Sequence, residues 1–267
     1  MPPEQEHPQG PPVADMEALI ARVREFTAQR GKTAKTRRAP YSAKDLRKKF
    51  SLTLPGEKKP EVILSEDTFV ELGHPSTASV STVLVTFQKK LVDPGAVTLV
   101  GPDILDMKKG DVRPFAQVLM VAVDPDDVPD PFSLDNAQYL MHRLPGWMVR
   151  SVPGRMWIRV GKKQHKAGLS LWAVGSALCA ALAEDFPGVR SVETLFVTSG
   201  KEDVLALDQV AVEAAILSGR HKKLSLGVDG DVECTELNCE TCEEKPVCDN
   251  LRDVVVQRRK EKRKTGS

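Results

Sequence analysis

Six consecutive residues, Val118–Val123 (VLMVAV), are apolar without interruption. This pattern predicts a strand that is covered on both faces, because a half-exposed strand alternates apolar with polar residues. Val80–Phe87 (VSTVLVTF) is rich in β-branched residues and alternates, which predicts a second strand. The same signals predict further short strands at 97–100, 156–160 and 192–197. The chain is therefore expected to build a layered sheet.

Three helices are predicted among and after these strands. Ser170 opens a helix over residues 171–186 whose apolar residues almost encircle it, so we expect it to be largely buried. Residues 204–217 are amphipathic, and 133–143 have a helical pattern. This order of elements predicts an α/β fold: a mixed sheet with flanking helices, followed by a short C-terminal cysteine-rich metal-binding segment.

The N-terminal part, residues 1–54, is predicted to be a flexible basic extension. Apolar residues recur at helical spacing from Met16 to Phe26, which predicts one short amphipathic helix. We interpret the basic run that follows as a solvated linker, because no aromatic residues interleave it, with a docking arm for an acidic partner or RNA as the alternative. This basic run contains Arg30, Lys32, Lys35, Arg37 and Arg38. After the N-terminal extension, the folded α/β domain is predicted to span residues 55–220.

Four of the five cysteines lie close together in the last segment, residues 221–267, in a C-x4-C-x2-C-x5-C pattern. Four thiolates in so short a loop can surround one centre, and the C-x2-C pair presents two sulfurs from one turn. The uneven steps without histidine favour an iron–sulfur cluster of the [4Fe–4S] type, and zinc is the alternative. Cys179 lies in a predicted helix and is interpreted as a core residue. The predicted metal ligands are Cys234, Cys239, Cys242 and Cys248.

Composition and missing motifs exclude several classes of protein. No apolar stretch reaches the roughly 18 residues that a membrane span needs, and the N-terminus lacks the basic and apolar regions of a secretory signal. We therefore expect a cytoplasmic protein without a membrane partner, whose thiols stay reduced. The formal net charge of +1 makes nucleic acid an improbable partner. The five histidines are scattered, and no phosphate loop, dinucleotide-binding motif or nucleophile elbow is present.

The middle of the chain contains six short segments: VELGHP at 70–75, VTLVGPDI at 97–104, MWIRV at 156–160 followed by two lysines, KAGLSL at 166–171, EDFP at 184–187 and VETLFVT at 192–198. In order and spacing these segments resemble the second domain of CO dehydrogenase/acetyl-CoA synthase. The resemblance runs over roughly residues 62–217. It implies an α/β domain that belongs to one-carbon metabolism and works with CO dehydrogenase or a corrinoid protein.

The resemblance also implies a coenzyme A site at Trp157, Arg159, Lys162 and Lys163, since the matching tryptophan and basic residues of the family are associated with that ligand. An aromatic face can stack on adenine while cations contact phosphates. A core position for Trp157 is the alternative. The sequence lacks the Cys-Gly-Cys unit of the family's dinickel centre, so it leaves open whether the chain is an acyltransferase subunit. A non-enzymatic metal-binding assembly or regulatory module is the alternative function.

Overall fold

Buried strands rich in Val and Leu form the centre of the structure, a computed structural model that describes residues 13–38, 62–128, 146–152 and 154–218. It also describes a few isolated positions, namely 44, 48, 134, 225–226 and 232–233. The chain divides into two units, Met1–Ser218 and Gly219–Ser267. The predicted helix at 133–143 and all four clustered cysteines lie outside the described residues.

The first unit contains a five-stranded sheet made of β1 (Ala34–Arg38), β3 (Ser79–Thr86), β4 (Ala96–Val100), β6 (Phe115–Val123) and β9 (Val189–Val197). The strand order is β1-β4-β9-β6-β3. β4 pairs parallel with β9 and β3 pairs parallel with β6, whereas the other two pairings are antiparallel. The sheet is therefore mixed, as predicted. All nine residues of β6 are buried, which confirms the strand covered on both faces.

A second sheet of four strands consists of β2 (Thr68–Leu72), β5 (Val112–Arg113), β7 (Trp147–Val152) and β8 (Arg155–Gly161). Its order is β5-β2-β8-β7. Met156, Ile158 and Val160 point into the core, while Trp157 and Arg159 take the alternating positions on the other face. This alternation separates a buried apolar face from a polar outer face, and the outer face carries two of the predicted ligand-binding residues, Trp157 and Arg159.

Helices cover both faces of the five-stranded sheet. They are α1 (Val13–Arg30), α3 (Leu171–Asp185), α4 (Lys201–Leu205) and α5 (Asp208–Leu217), whereas the short helix α2 (Lys162–Lys166) contacts β2 and β8 of the four-stranded sheet. One apolar core includes α1 and α5, and the other joins α3 to the four-stranded sheet. The Ser170 side chain accepts the N–H of Ala173 and caps α3, as the sequence predicted. The single helix predicted at 204–217 is interrupted instead, and the break places Leu207 in the core.

Residues 13–38 pack against the five-stranded sheet, unlike the flexible extension that their charge predicted. The apolar side of α1 is buried, and β1 pairs antiparallel with β4. The basic run is therefore not a solvated linker where it is described: its β1 part has a paired backbone, with exposed charged side chains at the sheet edge, and Arg30 pairs with Asp203. The domain limits at residues 54 and 220 stay predictions. The buried residues of α1 are Met16, Leu19, Ile20, Val23 and Phe26.

Gly175 allows α3 to lie close to the sheet. A Cβ atom at this position would meet Val97 Cγ1 at 2.7 Å and Phe196 Cε2 at 2.9 Å. We expect Gly175→Ala to lower the free energy of unfolding by about 1–3 kcal/mol, because overpacking outweighs the better helix propensity of alanine. Urea denaturation measures the change. Gly200→Ala is the control, since it has nothing within 4 Å, and equal stability of the two variants would contradict the close contact.

The second unit is described only at two short strands, β10 (Ser225–Leu226) and β11 (Val232–Glu233), which pair antiparallel. β11 ends directly before Cys234 in the sequence. Among the described helices of the whole chain, none has the length and apolar character needed to cross a bilayer.

Candidate functional site

Glu71 joins two of the predicted ligand-binding residues on the outer face of the four-stranded sheet. It lies on β2 directly opposite Arg159 on β8. Trp157 Nε1 donates to Glu71 Oε2 at 3.0 Å, and Arg159 Nε donates to Glu71 Oε1 at 3.0 Å. One carboxylate therefore sets the positions of both the indole and the guanidinium group. Trp157 is half-buried on this outer face and does not lie in the core between the sheets.

The Arg159 side chain has several contacts besides Glu71. Its Nη1 donates to the carbonyl oxygen of Ile63 at 3.3 Å, and its guanidinium carbon lies 4.7 Å from the centroid of the Trp157 ring. The side chain is 19% exposed, so these contacts hold it against the sheet. Because Glu71 balances the charge of Arg159, this arginine attracts an anion less strongly than an unpaired cation would.

His74 lies at the end of the same site, although the scattered positions of the histidines in the sequence gave no indication of a site. Its ring lies edge-on to Trp157, 5.2 Å between centroids, and its Nε2 is 3.8 Å from Glu71 Oε2. Gly73 makes this turn possible with a φ of +66°, since a Cβ there would lie 2.2 Å from the carbonyl oxygen of Met156. The signal for Glu71 and His74 was present in the segment VELGHP, but only the strand pairing shows that both reach Trp157.

A cavity of about 510 Å³ opens beside Trp157. Its lining is largely apolar, and His74 and Arg155 supply polar groups. Arg155 Nη1 is 2.9 Å from Asp208 Oδ1, which fixes this arginine at the cavity wall. A volume of this size, with few polar groups, is typical of a small-molecule site. The apolar lining includes Pro75, Ala78, Met156 and Leu205.

The two predicted lysines lie at the far end of β8, at the start of α2. Gly161 is four residues beyond Trp157, which places it about 13 Å along the strand. Lys162 Nζ donates to the carbonyl oxygen of Glu66, a neutral group that leaves the lysine charge in place. Lys163 is exposed. The structure thus brings Trp157 and Arg159 together and sets the lysines apart from them.

Cys179 lies in the core, as the sequence predicted. Its side chain is 5% exposed and its Sγ is 3.4 Å from Thr194 Oγ1. Burial raises the pKa of the Cys179 thiol to about 12, so it stays protonated at neutral pH and is a poor metal ligand. The cysteines predicted to bind metal are among the residues that the structure does not describe, so their iron–sulfur or zinc site stays a prediction.

The sequence around this site is similar to that of known proteins. A profile of the CO dehydrogenase/acetyl-CoA synthase complex beta subunit matches residues 52–204, more than half of the chain. The acetyl-CoA decarbonylase/synthase complex subunit beta of Archaeoglobus fulgidus is 27% identical over 179 residues, which cover 65% of this chain and 33% of that protein. The corresponding subunit of Methanothermobacter thermautotrophicus is 28% identical over 163 residues, 61% of this chain and 33% of that protein. The chain spans about a third of the length of these curated relatives.

Proposed function

Because the chain belongs to the family of the CO dehydrogenase/acetyl-CoA synthase complex beta subunit, we propose that residues 13–218 form a coenzyme A-binding module. The curated relatives are named as subunits of an acetyl-CoA decarbonylase/synthase complex, and the module would act in a complex of this kind. It would then function in one-carbon metabolism. CO dehydrogenase or a corrinoid protein is the partner that we propose.

The observation that supports this proposal best is the Trp157–Glu71–Arg159 arrangement beside a cavity of about 510 Å³. Coenzyme A combines a planar base, phosphate groups and a long, largely apolar thiol-bearing arm. An indole held in place by a hydrogen bond gives the base a rigid stacking partner at low entropic cost. The apolar cavity next to it matches the arm.

We assign the phosphate contacts mainly to Lys162 and Lys163. The charge of Arg159 is balanced by Glu71, whereas Lys162 contacts only a carbonyl oxygen in the described structure and Lys163 is exposed. The lysines lie about 13 Å or more along the strand from Trp157, so only an extended ligand reaches both the indole and the lysines. This separation favours a ligand with its base and its phosphate groups at different places.

The test is calorimetric titration of coenzyme A into the wild type and into the Lys162→Ala/Lys163→Ala variant. We expect the double substitution to weaken binding about ten- to hundredfold, the effect of losing a charged contact to phosphate. Lys108→Ala/Lys109→Ala is the matched control. Both of these lysines are exposed, neither lines the cavity, and neither belongs to β8 or α2. It removes the same net charge, and its affinity is expected to equal that of the wild type.

Two results would contradict the proposal in different ways. Equal affinity of the Lys162→Ala/Lys163→Ala variant and the wild type for coenzyme A would show that other residues contact the phosphates. Absence of wild-type binding at millimolar coenzyme A would show that coenzyme A is not the ligand of this protein. The alternative function, a metal-binding assembly or regulatory module, would then be favoured.

For the second unit we propose a [4Fe–4S] cluster held by Cys234, Cys239, Cys242 and Cys248, with zinc as the alternative filling. Support comes from the donor set: four thiolates at short, uneven steps and no histidine among them. When bound, such a cluster supplies electron transfer or structural order. The cysteines' own part is to provide four anionic sulfurs, and the nearby acidic residues add negative charge that lowers the reduction potential of a cluster.

A further inference from the structure

Two chain segments meet at the carboxyl end of β4, away from the coenzyme A site proposed above. They are the loop that follows β4 and the start of α3, which belong to the segments VTLVGPDI and KAGLSL. Asp103 Oδ1 joins them, since it accepts the N–H of Ile104 at 2.7 Å and the N–H of Leu171 at 2.6 Å. In sheets with parallel strands, ligands commonly bind outside the carboxyl ends of the strands, and β4 is parallel to β9.

A second cavity of about 310 Å³ lies at this junction. Val97 and Leu99 of β4 and the indole of Trp172 on α3 are part of its lining. Lys35 and Arg37 of β1 also line it. They are paired in register with Leu99 and Val97, so the two cations project on the same side of the sheet as this apolar floor.

One of the two cations, Arg37, faces an aromatic ring, and two carboxylates that accept backbone N–H groups, Asp103 and Asp106, also line the cavity. The Arg37 guanidinium carbon lies 4.5 Å from the centroid of the Trp172 ring, which orients its planar fork. Asp103 is 6% exposed and accepts the two backbone N–H groups, while Asp106 Oδ2 accepts the N–H of Asp103 at 3.2 Å. Burial raises the pKa of Asp103 above that of an exposed aspartate, and the two backbone N–H groups and Arg37 oppose this shift.

We propose that this cavity binds a small organic anion with a phosphoryl group. Lys35 and Arg37 are two residues apart on one strand, about 7 Å, so both can contact one phosphate dianion. The apolar floor and Trp172 receive the organic part, and the volume limits that part to a small molecule. The cationic wall comes from β1, which precedes the residues 52–204 that match the family profile.

Trp172 fluorescence in a Trp157→Phe background tests the proposal without depending on the coenzyme A site. Trp147 is fully buried and serves as a constant background. Inorganic phosphate is the probe, and we expect a saturable change in emission. Lys35→Gln/Arg37→Gln is expected to weaken the apparent affinity at least tenfold, the effect of losing charge-assisted contacts. The same titrations with acetate compare a carboxylate with phosphate.

Lys108→Gln/Lys109→Gln is the matched control, because it removes two positive charges at exposed positions that do not line this cavity. Its phosphate titration is expected to equal that of the parent. Thermal unfolding of each variant checks that β1 remains paired. Unchanged phosphate affinity in the folded Lys35→Gln/Arg37→Gln variant, or equal loss in the control, would overturn the site. Saturation by acetate but not by phosphate would overturn the phosphoryl assignment.

Discussion

Cys239→Ser and Cys242→Ser are each expected to abolish metal retention by this protein. These cysteines form the C-x2-C pair, and removal of one thiolate from a four-thiolate site leaves an incomplete coordination shell. Anaerobically purified wild type is expected to be brown, with about four iron atoms per chain if a cubane cluster is bound. Iron and zinc analysis, together with the visible absorption spectrum, measures the loss.

Cys179→Ser is the control for the cysteine series. Its thiol lies in the core beside Thr194 and is expected to have no part in metal binding, so the variant should keep the full metal content. Loss of metal from a folded Cys179→Ser protein would show that the ligands were assigned wrongly. A colourless wild type with one zinc per chain would contradict the iron–sulfur cluster and leave a structural zinc site.

Arg24→Met is expected to destabilise the first unit by about 3 kcal/mol. Both Glu193 oxygens accept from the Arg24 guanidinium group, and the Glu193 side chain is only 2% exposed on β9. Without Arg24, a carboxylate remains buried with one backbone N–H, that of Asp93, as its partner. Arg24 itself is 41% exposed, but the carboxylate that it leaves behind is buried, and a buried charge without its partner is costly. Urea unfolding of the wild type and the variant under identical conditions measures the difference in the free energy of unfolding.

Arg22→Met is a close control, since it lies two residues earlier on the same helix. Arg22 pairs with Glu213, and the two side chains are 41% and 35% exposed. Exposed pairs contribute about 1 kcal/mol or less. If Arg24→Met and Arg22→Met unfolded at the same urea concentration, α1 would not be needed to neutralise Glu193. A double variant, Arg24→Met with Glu193→Gln, is expected to recover part of the loss, because it removes the buried charge.

The strands and the long helix were predictable because their signals are local. Val118–Val123 has no polar residue to place on a solvent face, and Ser170 stands where a helix needs a capping oxygen. The sequence of β1 is charged and gave no strand signal, because an edge strand keeps its backbone paired even when most of its side chains are exposed. Glu193 gave no signal either, because a buried carboxylate is explained only by the arginine that reaches it from α1.

The proposed coenzyme A site was predictable only in part. Alternation along β8 places Trp157 and Arg159 on one face, and that follows from the sequence alone. Their shared partner, Glu71, is 88 residues from Arg159, and its role depends on the register between β2 and β8. A shift of one residue in that register would turn Glu71 to the opposite face of the sheet. Sequence patterns do not fix the register between such distant strands.

The pairing of β1 with β4 also bears on how the protein avoids aggregation. β4 reads AVTLV, and all five of its residues are buried. Without β1, this short, uncharged, β-branched strand would present a row of unpaired backbone groups, the usual starting point for intermolecular strand addition. β1 closes that row and replaces it with an outer edge that carries Lys35, Arg37 and Arg38, whose like charges repel a second copy. A shortened chain that began at the family-matched residues would lose this protection, so low solubility of such a fragment would reflect an uncovered edge and not a defective core.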